Sequence, residues 1–355
     1  MKISMISLKN IFLGGLILSS TAIFAGNEDR VGSAGASHLL VNPWARSSAM
    51  GDANISSANG IEATYTNIAG LASLKKTQIK FNHSNWMGSA SGIGFNSAGL
   101  AQRISENSVF SVSIQSMNFG DIPITTVENP EGNIGNFSPT INVFNIGYAK
   151  SFSSTISGGI NFKVISESMS NMKATGVAID VGVRYVTGDQ EEIKFGIALK
   201  NVGPTMKYRG DGFNQQAFNS TTGNIATYNQ RSQEFELPAL LNIGGSYDFI
   251  FDEKNKLTTA LGYTANSFSY DQFRLGLDYG LITDGIAFNL RGGFVYEKNI
   301  FSSLNRSNAF VGPTAGFSID ALVGKNKSAL GIEYTSRFAG TFGVIHTIGA
   351  TISIK

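Results

Sequence analysis

The chain has 355 residues, with 41 Gly, 25 Phe and 11 Tyr but only three His and no Cys, which excludes a disulfide framework, a thiol metal site and a lipid-modified cysteine. Charged residues make up 15% of it, well below the roughly 25% usual in soluble domains, and a net charge of +2 is too small to argue for nucleic acid as a partner. Mean hydropathy is +0.02 and no run of about 20 apolar residues offers a spanning helix, a combination that suits a transmembrane β-barrel, where apolar and polar residues alternate and cancel in the average.

The first element is a leader. Lys2 and Lys9 precede the apolar run 11–24 (IFLGGLILSSTAIF), followed by Ala25-Gly26 and the polar NEDR. A basic start, a short apolar core and a small residue at the boundary predict a secretory signal peptide over 1–25, cleaved after Ala25. Residues 26–34 (GNEDRVGSA) then read as a flexible leader. The stretch 35–76 neither alternates like a strand nor escapes Gly, Pro and Asn long enough to be one helix.

From residue 77 the chain alternates to its end, so 77–355 reads as the barrel. Segments 78–87 and 92–104 form a first hairpin, and 109–119, 140–152 and 155–166 follow. In 175–187, Val177, Ile179, Val181, Val183 and Tyr185 alternate against Ala178, Asp180, Gly182 and Arg184. Segments 193–201, 240–249, 257–266, 273–282, 286–297, 314–323, 329–338 and 342–354 complete about fourteen with period 2, most near the 9–11 residues that cross a bilayer at a tilt.

The connections carry separate information. After odd strands they tend to be long (120–139, 166–174, 202–236, 298–313), and after even strands tight (151–154, 188–191, 283–285, 324–327). Asp284-Gly285 is a type I′ hairpin signal. Outer-membrane barrels have short periplasmic turns and longer extracellular loops, and a β-sandwich gives no reason for such parity. A Lys or Arg on the lipid face costs roughly 2–4 kcal/mol near mid-membrane. The apolar faces, such as Phe273/Leu275/Leu277/Tyr279 and Ile286/Phe288/Leu290, therefore point to lipid. Asp180, Arg184, Arg274, Asp278, Arg291, Glu297, Glu333 and Arg337 then point into the lumen.

A barrel of that size is too wide for its own side chains to fill. The lumen-facing Gly182, Gly196, Gly276 and Gly293 leave room for backbone, and 35–76 has the matching composition. It carries small residues, with Leu39, Leu40, Trp44, Met50 and Tyr65 as anchors. Arg46 and Asp52 are placed to pair with lumen charges. Residues 26–76 are therefore expected to form a leader and an N-terminal plug.

The runs LLVNPWARSSAMGDANIS and GIEATYTNIAGLA resemble the PorV/PorQ family of Bacteroidota outer-membrane proteins, themselves similar to the FadL long-chain fatty acid transporters. The matching residues are Leu39, Leu40, Ala45, Arg46, Met50, Gly51, Asp52, Asn67, Ala69, Gly70 and Leu71, with Ile68 standing where the family has Pro. Asn201-Val202-Gly203, closing a strand, and Leu237-Pro238-Ala239, opening the next, match as well. The resemblance implies a fourteen-stranded FadL-like barrel in the cell outer membrane and a role in type IX secretion. It also implies, as partners, secretion-system components or secreted proteins bearing a C-terminal targeting domain.

The Asn- and Gly-rich loop 202–236 suits recognition of a folded protein better than capture of a fatty acid. The competing reading is a FadL-like transporter of hydrophobic compounds, in which Leu39, Leu40 and Trp44 line a lumenal pocket for a small hydrophobic molecule or detergent. An outer-membrane phospholipase would need a nucleophile with a base in reach. His83, Ser84 and His346 fall near the outer ends of the first and last strands, but nothing orients them. The expectation is no enzyme activity, no cofactor and no metal, with outer-membrane lipid as the surrounding partner.

Overall fold

The computed structural model describes residues 26–87, 91–221, 223–302, 306–324 and 328–354; the expected signal peptide lies outside them. Period-2 alternation gives strands β1 (Thr77–Trp86), β2 (Ile93–Ser105), β3 (Ser108–Asn118), β4 (Thr140–Ser151), β5 (Ile156–Met169), β6 (Met172–Thr187) and β7 (Ile193–Val202). The second half supplies β8 (Leu240–Ile250), β9 (Asn255–Asn266), β10 (Gln272–Thr283), β11 (Ile286–Glu297), β12 (Gly312–Val323), β13 (Ser328–Phe338) and β14 (Val344–Ile354). Each pairs antiparallel with the next, and β14 returns to β1 from Thr77↔Ile354 to Asn85↔His346, closing a fourteen-stranded antiparallel barrel with no free edge.

Burial follows the alternation. On β6, Val177, Ile179, Val181, Val183 and Tyr185 are exposed outward, while Ala178, Asp180 and Arg184 are buried inward. The same holds for Phe273, Leu275, Leu277 and Tyr279 against a buried Gln272, and for Ile348, Ile352 and Ile354 against buried Thr347 and Thr351.

One expected long connection is absent. Instead of a loop over 166–174, β5 and β6 run on and meet in a two-residue turn at Ser170-Asn171, with Ser170 at φ 51°. The inward residues Ile165, Glu167 and Ala174 stay buried there. Only the outward ones change character, from Val164 and Val177 to Ser166, Ser168, Thr175 and Lys173, so the contrast that marks a strand fades although pairing continues. The long excursions that do occur are 119–139, 203–239 and 298–311. Beyond Asn201, which takes φ 58°, the chain leaves the wall, and Met206–Gly210 then pairs with the upper part of β6.

Inside this wall lies the chain from Ala36 to Leu74. Its helices are short, α1 (Ala45–Ala49) and α2 (Ala63–Thr66), joined by 3-10 turns at Ser37–Leu40, Gly60–Glu62 and Ile68–Ser73. Gly51, Asp52 and Gly60 at φ 60°, 59° and 63° break any longer helix. Trp44, Ile61, Tyr65, Ile68 and Leu71 pack on the inward Ala101, Val109 and Ala149 of β2, β3 and β4. Leu39 packs with Val143, Ile165, Ala178 and Met206 in the half nearer the long loops. The small wall residues are what admit this chain. A Cβ on Gly293 would come 2.2 Å from the Met50 carbonyl carbon and 2.4 Å from Gly51 N, a clash with backbone that no rotamer relieves.

Candidate functional site

The enclosed chain is tied to the wall by buried charges that alternation alone placed on the inward face. In the largest cluster, Arg46 on α1 donates to Glu333 (2.5 Å) and to Asp320 (2.6 Å). Lys80, only 1% exposed, bridges Glu333 at 2.7 Å and Glu62 of the enclosed chain. The second carboxylate oxygen of Glu62 accepts from Ser47 N (2.8 Å) and Ser47 Oγ (2.5 Å), so one carboxylate joins α1 to β1. Two cations face three carboxylates here, each with hydrogen bonds to satisfy it, which is the condition for burying such groups.

A second cluster has the opposite balance. Asp52 faces Arg337 at 3.0 Å and Arg274 at 3.5 Å and accepts from Asn42 at 2.6 Å. On β5–β7, Asp180 pairs with Lys163 at 2.7 Å and accepts from Asn201 N at 2.7 Å, holding the bend at Asn201. Arg184 donates to Ala58 O (3.3 Å), to Asn59 Oδ1 (2.9 Å) and to Ser73 Oγ, and so fastens the enclosed chain near its exit to β1. Asn67 caps the Ile68–Ser73 turn through Ala69 N (3.1 Å) and reaches the wall at Val183 O (3.1 Å), in space left by Gly182 and Gly196. Arg291 and Asp278 pair at 3.1 Å within the wall itself.

Of the apolar anchors, Trp44 is fully buried, Leu39 and Met50 nearly so, and Leu40 is half-buried at a cavity edge. Glu62, Lys80 and Asp320 carry the largest cluster but were not singled out from sequence. Lys80 and Asp320 do alternate inward on their strands, and Glu62 is one of two acids in 35–76, signals too common to separate from an ordinary solvated face.

Residues 26–34 are held at the long-loop end rather than loose. Arg30 pairs with Glu236 at 2.5 Å and lies 4.2 Å over Phe268, Glu28 pairs with Lys298 at 2.6 Å, and Asn27 N donates to Asn266 O. Beneath them opens a cavity of about 410 Å³ lined by Trp86, Met117, Phe119 and Phe310, with Asp52, Arg274 and Arg337 also on its wall. At the other end a polar cavity of about 380 Å³ is lined by Lys194, Asp248, Lys256 and Arg291. The same stretch, 46–54, borders both, Asp52 on the first and Arg46, Met50 and Asn54 on the second. His38, beside the upper cavity, has its imidazole pushed down to about 4 by burial and then by Lys163. Its 3.6 Å approach to Glu167 is too long for a hydrogen bond to counter that.

His83 and His346 lie on adjacent strands, as their positions suggest, but both point outward. Ser84 points inward to Thr347 at 2.7 Å, so no serine–histidine pair forms. Among the described residues no cluster of three or more His, Asp or Glu is arranged to hold a metal. Over the long-loop end, 203–239 projects a hairpin, Asn214–Asn219 with Asn224–Asn229, whose exposed Phe218 and Ile225 face one another across the pair.

A model of the family described as type IX secretion system protein PorV matches residues 24–266. A search of curated protein sequences finds no match. Among solved structures, the chain is similar to the Pseudomonas putida toluene transporter TodX at 13% identity, covering 88% of this chain and 98% of that one with a TM-score of 0.54. It is likewise similar to the monoaromatic hydrocarbon channel CymD (12% identity, 88% and 97% covered, TM-score 0.54). A Pseudomonas aeruginosa FadL homologue gives 12% identity, 88% and 98% covered, and a TM-score of 0.53. At such identities these likenesses establish the fold, an outer-membrane barrel of FadL-like architecture.

Proposed function

The chain belongs to the family of type IX secretion system protein PorV, and from that membership we propose that it is an outer-membrane binding or anchoring component of type IX protein secretion. It engages secreted or surface proteins through its extracellular loops, while residues 26–76 act as a plug. One observation carries this reading. The enclosed chain runs the length of the lumen and is pinned by Arg46, Glu62, Asp52 and Asn67 to the wall, which leaves the loop surface as the free working surface. The hairpin in 203–239 supports it, being an isolated two-stranded ribbon with unpaired edges and exposed apolar side chains, a form suited to recognising a folded protein.

The test is affinity isolation from native outer membranes, with the parent and with a variant whose hairpin 214–229 is replaced by a Gly-Ser linker. The parent is expected to bring down secretion-system components or secreted proteins, and the variant to lose them. Recovery of neither by the parent overturns the reading.

A second reading is favoured by the cavity under residues 31–41, whose apolar lining and adjacent Arg274 and Arg337 suit a hydrophobic compound with an acidic end. The hydrocarbon and toluene proteins of the same fold give it a precedent. Saturable binding of toluene or of a labelled fatty acid, abolished by Trp86→Ala, would favour transport over anchoring.

A further inference from the structure

The outer face of the barrel is not uniform. Over β6 five outward positions from Val177 to Tyr185 are apolar, and over β11 the outward face runs Ile286, Phe288, Leu290, Gly292, Phe294, Tyr296. At about 3.4 Å per residue both stretches approach the roughly 25 Å apolar band of such barrels once tilt is allowed for. On β1 the outward residues are Ile79 and Phe81, then His83 and Asn85. Along one hydrogen-bonded rung, His83, Asn96, Ser116, Asn142, Ser166 and Thr175 are aligned across β1 to β6, directly above an apolar rung containing Phe81, Ala98, Ile114 and Phe144. The apolar band is therefore cut short on its extracellular side over β1 to β6, whereas across the closing seam the same rung runs on as Ile348, Tyr334 and Phe317 of β14, β13 and β12.

At this place the wall is also concave. A cavity of about 920 Å³ opens on the outer surface across β12, β13, β14, β1, β2 and β3. Small residues, Ala98, Gly349 and Ala350, form its floor, and Phe81, Phe317 and Ile332 its sides. Its rim holds His83, Asn96 and Tyr334. These rim groups are ordered, with His83 Nδ1 at 2.7 Å from Asn96 Oδ1 and Tyr334 Oη at 2.6 Å from His346 Nδ1. No Lys or Arg lines the cavity, and its one acid, Glu333, points inward and is taken by Arg46 and Lys80.

We propose that this concavity binds one lipid of the extracellular leaflet, an acyl chain lying between Phe81, Phe317 and Ile332 and an uncharged, hydroxyl-bearing head group meeting His83, Asn96 and Tyr334. Below the polar rim its lining, Phe81, Ala98, Ile114, Phe317 and Ile332, belongs to the lipid-facing band, so hydrocarbon is what lies against that part in the membrane. Its volume falls within the roughly 300–1,000 Å³ of small-molecule sites. His83 has both ring nitrogens at amide oxygens, Asn96 Oδ1 and Asn85 Oδ1 (3.2 Å), and Tyr334 is paired with His346, so the rim is a pre-arranged polar strip facing the bilayer, to whose remaining donors and acceptors head-group hydroxyls can add. The missing cation argues against a phosphate or other anionic head.

The test uses the purified full chain in nanodiscs of phosphatidylcholine containing either monogalactosyl diacylglycerol or phosphatidylglycerol, with retained lipid counted by native mass spectrometry. The parent is expected to keep one galactolipid and to release phosphatidylglycerol. Ala98→Trp or Ala350→Phe, each filling the floor, should lose it, and His83→Leu/Asn96→Leu should weaken retention about tenfold. Leu277→Trp, on another part of the outer face, should not change it. Heat-modifiable electrophoresis identifies which variants are folded, so either floor variant suffices. Equal retention of both lipids, or retention unaffected by a folded floor variant, overturns the proposal. So does a photo-cross-linker at Ile332 that attaches to a protein instead of lipid in native membranes.

Discussion

Lys80→Met removes a cation held by two carboxylates, Glu62 on the enclosed chain and Glu333 on β13, while keeping most of the side-chain volume. Glu62 and Glu333 then share a nearly dry space with Arg46 as the one remaining cation of the cluster. Removing one partner of a buried ion pair costs about 3–5 kcal/mol. Since Glu62 belongs to the enclosed chain, that cost falls on the contact between chain and wall rather than on the barrel ladder. At about 1.4 kcal/mol per tenfold, the population with 45–62 displaced should rise roughly a hundred- to a few-thousand-fold. The absence of native cysteine gives a clean readout. With Ser48→Cys, a position 4% exposed on α1, the rate of labelling by a soluble maleimide reports that population when reclosing outpaces labelling. Adding Glu62→Gln to Lys80→Met should restore at least half the loss, because it removes one uncompensated charge. A labelling rate within threefold of the parent, in a barrel of normal heat stability, would refute the view that this cluster seats the enclosed chain.

The remaining predictions concern single contacts. Asn67→Ala loses a turn cap and a bond to Val183 O, and should lower stability in urea by about 1–2 kcal/mol. Gly293→Val should raise Ser48→Cys labelling or block folding, since overpacking costs about 1–3 kcal/mol or more, whereas Gly292→Ala, with nothing within 4 Å of the added carbon, should be neutral in the same assay. His38 has a folded pKa of about 4 against 6.5 unfolded. The unfolded chain binds more protons between those values, so stability is full above about 6.5 and declines as pH falls toward 4. His38→Gln should flatten that part of the urea-midpoint profile.

The wall was legible because lipid outside and packed chain inside enforce period 2 on every strand. It became illegible where the lipid ends. On β5 and β6 the outward side turns from Val164 and Val177 to Ser166 and Thr175, and pairing continues with no apolar contrast to reveal it. The inward charges followed from the cost of placing them in lipid. Their partners did not, because the enclosed chain has no period, and Arg46 meets Asp320 across 274 residues of sequence. Ser84 and His83 show the converse case, since neighbours on a strand are adjacent in sequence yet face opposite sides of the sheet.

Gly26 lies by Asp271 at the long-loop end, and Thr77 begins β1 at the opposite end. The polypeptide between them therefore threads the wall from mouth to base before the first strand starts. A closed fourteen-stranded hoop with Trp44, Tyr65 and Met50 wedged in it leaves no passage for inserting such a stretch afterwards. The enclosed chain must therefore be in place before the last pair of strands zips. On that route the enclosed chain would serve the closing wall as a mandrel, and the same peptide supplied separately to a barrel that has already zipped is expected to find no way in.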